Sequence, residues 1–227
     1  MDIGYILIVL GVILLSMTIH EAMHGFVAYW LGDDTAKMLG RLTLNPAKHI
    51  DPFLTILLPM SLAAMNALTG THAPIFGGAK PVPFNPARVK YEEWGAALVA
   101  VAGPLVNLAI AFVAFMLLAV IDAPSAEMLA NFQVYTDASV LTQVLVQFVL
   151  VNLGFFVFNM LPLPPLDGSR VLYAIAPEFV RRGMEAIERF GIVLVFIIVL
   201  MASQLIGTIM GGAIQAIIKA FVVISWV

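Results

Sequence analysis

The sequence contains no cysteine and little charge. Its 227 residues include 11 Lys and Arg and 14 Asp and Glu, so charged residues make up 11%, against about 25% in an ordinary soluble domain. Without cysteine there can be no disulfide framework, thiolate metal site or thiol nucleophile. The scarcity of charge excludes a free cytosolic protein, because so few charged side chains cannot cover the surface of a sphere this size. A net charge of −3 offers no basic stripe to neutralise phosphates, which argues against a nucleic-acid partner. Apolar residues dominate instead, at 62% of the chain with a mean hydropathy of +1.02, far too apolar for disorder. The length suits one integral membrane domain over residues 1–227, with several spans in a lipid bilayer. The expected fold class is all-α: a polytopic helical bundle of four to six transmembrane helices, with a re-entrant segment and short extended or β-hairpin loops.

The first long apolar run is Gly4 to Leu31, which as a helix would reach about 42 Å at about 1.5 Å per residue. It is not a signal peptide: it opens on Asp2 rather than a basic residue, is too long, and carries His20, Glu21 and His24. Trp94 to Ile121 and Val140 to Leu161 are also long enough to span. Phe53 to Thr69 is shorter and holds Pro59 and Asn66. The stretch from Phe190 to Val227 reads as a span to about Ile209. The stretch holds Gly207, Gly211, Gly212 and Lys219; a glycine break would follow the span, then a short returning or interfacial helix. Pro177 to Arg189, with Glu178, Arg181, Arg182, Glu185 and Glu188, reads as a surface amphipathic helix and a possible gate.

Loop charge sets the expected orientation. Lys37, Arg41 and Lys48 precede the Phe53 run; Lys80, Arg88 and Lys90 follow it; Arg170, Arg181, Arg182 and Arg189 follow the Val140 run. The loop 122–139 has neither Lys nor Arg. If the Phe53 run dips into the bilayer and returns, all these basic loops share the cytoplasmic side and the amino terminus lies outside. Irregular backbone at that depth is tolerated where protein or a water-filled cavity covers it.

His20-Glu21-Ala22-Met23-His24 is an H-E-x-x-H pattern. On a helix, positions i and i+4 share a face one turn apart, so two imidazoles can bind one Zn²⁺ while the Glu takes a proton from the attacking water. An ordinary helix can carry this pattern by chance. Ionisable groups inside an apolar helix are costly and mark function, which favours the metal site here. His20 would lie about 16 Å below the cytoplasmic end of the helix. A catalytic zinc site usually has three protein ligands. His49 and His72 lie in loops, where a hydrogen-bonding or exposed role fits them better. Asp167, just after the Val140 run in Leu166-Asp167-Gly168, is the stronger candidate, although such an aspartate can also be a simple turn residue.

Together with Asn159-Met160-Leu161-Pro162-Leu163-Pro164-Pro165-Leu166-Asp167-Gly168, the H-E-x-x-H segment makes the chain resemble the site-2 proteases, which are intramembrane zinc metalloproteases. The stretches 32–36, 40–46, 79–83 and 103–107 are similar to the compact branch without PDZ or CBS domains. The resemblance implies His20, His24 and Asp167 as ligands of one Zn²⁺ per chain, Glu21 as catalytic base, and Asn159 at the active site, holding substrate or stabilising the oxyanion. The implied substrate is a membrane protein or signal peptide. Asn159 has a structural alternative, a helix-end or interhelical hydrogen bond.

Arg41 to Asn45 is the preferred edge for pairing with an unwound substrate, because Pro81 and Pro83 deny a full ladder to residues 80–84. Gly103-Pro104 is expected to permit close helix packing and a kink, and Asn107 to make an interhelical hydrogen bond, the reading preferred to one in which it faces the site. Ser16 and Thr18 would line a water path or bond their own helix carbonyls. The competing functional reading is an ion- or proton-coupled transporter relaying through His20, Glu21, His24 and Asp167. It lacks the paired broken-helix repeats usual for such proteins.

Overall fold

The computed structural model describes residues 3–52, 57, 60–61, 64, 80–123, 128–129 and 139–225. Four of the described helices are long and apolar enough to cross a membrane: α1 (Ile3–Trp30), α3 (Glu92–Ile121), α4 (Val140–Asn159) and α8 (Ser203–Ser225). Between them lie α2 (Thr35–Met38), α5 (Asp167–Ile175), α6 (Glu178–Glu188) and α7 (Gly191–Met201). No strand occurs among the described residues. The protein is an all-α, multi-pass membrane bundle. The expected re-entrant segment, Phe53 to Thr69, falls almost wholly outside the described residues, as do His72 and most of 122–139.

Helix α3 is central and packs against α1, α4 and α5. Its buried side is built largely of small residues, among them Gly95, Ala96, Ala97, Ala100, Ala102, Gly103, Ala111 and Ala114. In lipid there is no hydrophobic gain from joining two apolar helices, so close van der Waals approach through small residues becomes the main attraction. Further along, Phe115 and Leu118 of α3 interlock with Leu145, Val149 and Leu153 of α4 and with Ile218 and Phe221 of α8. Phe112 and Phe221 meet edge to face at 5.1 Å between centroids, an arrangement favoured by their quadrupoles. This cluster fixes α4 against α3, and α4 carries the loop that ends in Asp167.

The amphipathic helix expected over Pro177 to Arg189 is α6. It folds back on α5 through an Arg170–Glu188 ion pair, a Tyr173 hydroxyl donating to Glu185 at 2.7 Å, and Arg181 donating to the Ala176 carbonyl at 2.9 Å. The tail differs from expectation. The break comes at Ala202, whose N–H closes on Ile198 O, and α8 runs through Gly207, Gly211 and Gly212 without interruption. Glycine weakens a helix because the unwound chain gains more conformational freedom there, and in water the freed backbone groups can also bond to solvent. In a bilayer that alternative is absent, so an apolar glycine-containing stretch stays helical. The short piece is therefore α7, with 11 residues, and α8 is the candidate span.

Candidate active site

On α1, His20 and His24 stand one turn apart, both 7% exposed, with rings edge to face at 4.7 Å. Asp167 arrives from the other end of the chain as the first residue of α5, after Leu166 in extended conformation. Gly168 makes this possible, because any Cβ there would collide with the carbonyls of Met160 and Leu161 at the end of α4. His20 Nε2 and His24 Nε2 are 3.1 Å apart and lie 3.2 and 3.5 Å from Asp167 Oδ2.

The hydrogen bonds on the far side of each ring decide what these atoms carry. His24 Nδ1 is 2.7 Å from the carbonyl of Val99, which can only accept, so Nδ1 bears the proton. His20 Nδ1 lies 2.9 Å from Asn107 Oδ1, another acceptor. Each neutral ring therefore turns an unprotonated Nε2 inward. Asp167 Oδ2 is buried with no hydrogen-bond donor. With both rings neutral, three lone-pair atoms converge with no proton between them, which is unfavourable without a cation. Ligands about 2.0–2.2 Å from one tetrahedral ion stand about 3.3–3.6 Å apart, and two nitrogens with one oxygen suit zinc. The observed separations and donor set fit Zn²⁺.

Glu21 is not part of this trio. Its Oε2 accepts from the backbone N–H of Val82 at 2.9 Å. Val82 belongs to a strap, residues 80–85, free of helix and turn, and it sits over Gly25, where a Cβ would come within 3.0 Å of its side chain. The strap is pinned at both ends. Lys80 N donates to His49 O at 2.8 Å, and Arg41 Nη2 donates to Lys80 O at 2.7 Å. At the other end Asn85 N donates to the buried Asp33 at 2.6 Å, and Asp33 also accepts from the Thr35 hydroxyl and N–H. His49 serves as a loop hydrogen-bonding residue, with Nε2 donating to Thr43 O at 2.8 Å.

Burial works to raise the Asp33 pKa. The Thr35 hydroxyl, the Asn85 and Thr35 amides and nearby Arg88 outweigh it and hold the group below its ordinary value. A depressed carboxylate stabilises the fold fully above its unfolded pKa, and that stabilisation is lost as pH falls through the folded value. Acidification is therefore expected to lower the hydrogen-exchange protection factors of the Asn85 and Val82 amides before those inside α3. In Asp33→Asn the strap should already be loosened at neutral pH, by about 1–3 kcal/mol for the unsatisfied Asn85 amide. Protection that is flat with pH in the wild type would contradict this.

Asn159 spends one amide N–H on Phe155 O of its own helix at 3.0 Å, the helix-end bond named above as its structural alternative. Thr18 bonds its own Leu14 carbonyl at 2.7 Å. Arg41 to Asn45 is not laid out as a strand, since Thr43 N turns back to Arg41 O at 3.0 Å and Asn45 N to the Thr43 hydroxyl. Gly103 does more than pack helices: it leaves room for both imidazoles, and a Cβ there would lie 2.5 Å from His24 Nε2 and 2.7 Å from His20 Cε1. Asn107 makes its interhelical bond, donating to Asn152 Oδ1 at 3.1 Å, and also accepts from His20. Asn152 and the Val82 amide escaped the sequence reading. For Asn152 the signal was present, a buried amide in an apolar span; a backbone amide leaves none.

The model of peptidase family M50 matches residues 5–203. The chain is 39% identical to a Bacillus subtilis protein named "Putative zinc metalloprotease YwhC", over 92% of this chain and 88% of that one. It is 29% identical to a Mycobacterium tuberculosis protein named "Putative zinc metalloprotease Rip2", over 87% of this chain and 67% of that one. No solved structure matches the chain.

Proposed function

The chain belongs to peptidase family M50, the site-2 protease family, and is a zinc metalloendopeptidase; on that premise we propose that it cuts peptide bonds within or near transmembrane segments. Its substrates would be membrane proteins or leftover signal peptides. The observation that carries the reading is the meeting of three candidate ligand atoms, His20 Nε2, His24 Nε2 and Asp167 Oδ2, inside a bundle of apolar helices. Zn²⁺ bound by these three atoms would polarise the scissile carbonyl and lower the pKa of water.

The protein's own residues would do the rest. Glu21, held at Oε2 by the Val82 amide, takes the proton of the attacking water and delivers it to the leaving amine. Asn159 keeps one amide N–H free of its Phe155 bond to orient substrate or donate to the developing oxyanion. Loss of one such donor costs about 2.7–4 kcal/mol, so Asn159→Ala is expected to lower kcat by about 10²–10³ with zinc content unchanged. The basic loops support a cell-membrane orientation with the amino terminus outside and the site reached from the cytoplasm, in one intramembrane domain over the whole chain.

The test uses purified protein in liposomes with a model single-span substrate, the products being mapped by mass spectrometry. Cleavage inside or beside the span, abolished by a zinc chelator and restored by zinc, is the expected result. Cleavage confined to extramembrane loops would overturn the intramembrane assignment.

A further inference from the structure

We propose that Asn152 of α4 is a positioning residue for the metal site, acting through Asn107 to fix the tautomer of His20. The inference rests on the reading of His20 as a zinc ligand. Three buried polar groups line up behind that ring: Asn107 on α3, Asn152 on α4 and Ser16 on α1, each 0% exposed. Asn107 Oδ1 is 2.9 Å from His20 Nδ1 and Asn107 Nδ2 is 3.1 Å from Asn152 Oδ1. Asn152 Nδ2 is 2.8 Å from both Ser16 Oγ and Phe148 O.

The direction of every bond in this row follows from its far end. Phe148 O is a backbone carbonyl and can only accept. It therefore holds the NH₂ side of the Asn152 amide, which leaves Oδ1 facing Asn107. Asn107 must answer with its own NH₂, so its Oδ1 faces His20. An imidazole beside an oxygen acceptor keeps its proton on Nδ1, and Nε2 is left as a lone pair aimed at His24 and Asp167. Were either amide reversed, an N–H would face Nδ1. The neutral ring would then carry its proton on Nε2, where it would block coordination. A helix carbonyl that touches neither His20 nor Asp167 thus selects the ligating form of His20, with Asn152 as the part that transmits the choice.

A purely interhelical role would move stability and leave the ring alone, so the test reads the ring and the metal. Zinc affinity is measured by chelator competition on full-length protein in detergent for wild type, Asn107→Leu, Asn152→Leu and the double variant. Outer partners of zinc ligands are typically worth about 10–100-fold in affinity. Asn107→Leu is expected in that range, Asn152→Leu at about tenfold or less, and the double variant no weaker than Asn107→Leu alone, because one acts through the other. Ser16→Ala should stay within about twofold, since Phe148 O alone sets the polarity. In the metal-free protein, nitrogen NMR of the His20 ring should report the Nδ1–H form in wild type and a mixture in Asn152→Leu. Should that variant not fold, Asn152→Ala removes the amide without adding bulk and is read the same way. An Asn152 variant with wild-type affinity and an unchanged His20 tautomer would overturn the proposal, as would effects that add in the double variant. Wild type that binds no zinc would instead defeat the reading of the site itself.

Discussion

Glu21→Gln is expected to reduce cleavage of a membrane-spanning substrate by about 10²–10⁴-fold, the usual worth of a positioned general acid–base, while zinc per chain stays at the wild-type value. The two halves of this result have separate structural reasons. Glu21 lies outside the trio of converging ligand atoms, and the contact seen for its carboxylate is Oε2 accepting from the Val82 amide at 2.9 Å. Glutamine has the same shape, and its carbonyl oxygen can accept the same N–H, so the strap and the helix should remain in place. What disappears is the ability to take a proton from water. Activity retained within a few-fold would mean that the base is elsewhere. Loss of zinc together with activity would mean that Glu21 shapes the site rather than acting in the reaction. Metal content by elemental analysis, set beside product formation in liposomes, separates these outcomes.

How much of this arrangement could be read beforehand depends on where each signal resides. The helices α1, α3 and α4 were legible almost to the residue, because a bilayer accepts little other than long apolar runs with an internally bonded backbone. The pairing of His20 with His24 was also legible, since helix periodicity alone puts them on one face. Asp167 is different. Nothing in residues 163–168 says which of several distant surfaces that turn will meet, and its place beside the histidines was suggested by family resemblance. The meaning of Gly103 was hidden for a related reason. Helix α3 is apolar all round, so its sequence does not say which side faces α1, and a glycine before a proline reads as a kink. The strap was out of reach because the atom that holds Glu21 is a backbone N–H. The position of the break in the tail was hidden for another reason: glycine interrupts a helix less readily in lipid, where an unwound backbone finds no hydrogen-bond partners.

Gly103→Ala sets local helix preference against the site. For an isolated helix, glycine to alanine is favourable by about 0.5–1 kcal/mol. At position 103 the added methyl would lie 2.5 Å from His24 Nε2, 2.6 Å from His24 Cε1 and 2.7 Å from His20 Cε1, far inside any real contact. The rings cannot simply swing aside, because Val99 O and Asn107 Oδ1 hold their Nδ1 atoms. Relief must come from breaking those bonds or from moving α3 away from α1, and either spoils the convergence on Asp167. Gly103→Ala is expected to weaken zinc binding by at least the 10–100-fold typical of losing the partners of a ligand and to lower cleavage in proportion. The melting temperature should shift far less than the affinity, because the helix term partly offsets the clash. Gly154→Ala is the matched control: it lies within α4, and nothing stands within 4 Å of where its Cβ would be, so it should leave zinc and activity unchanged and add stability, if anything. Wild-type zinc affinity in Gly103→Ala would mean that α1 and α3 stand further apart at His24 than the structure has them.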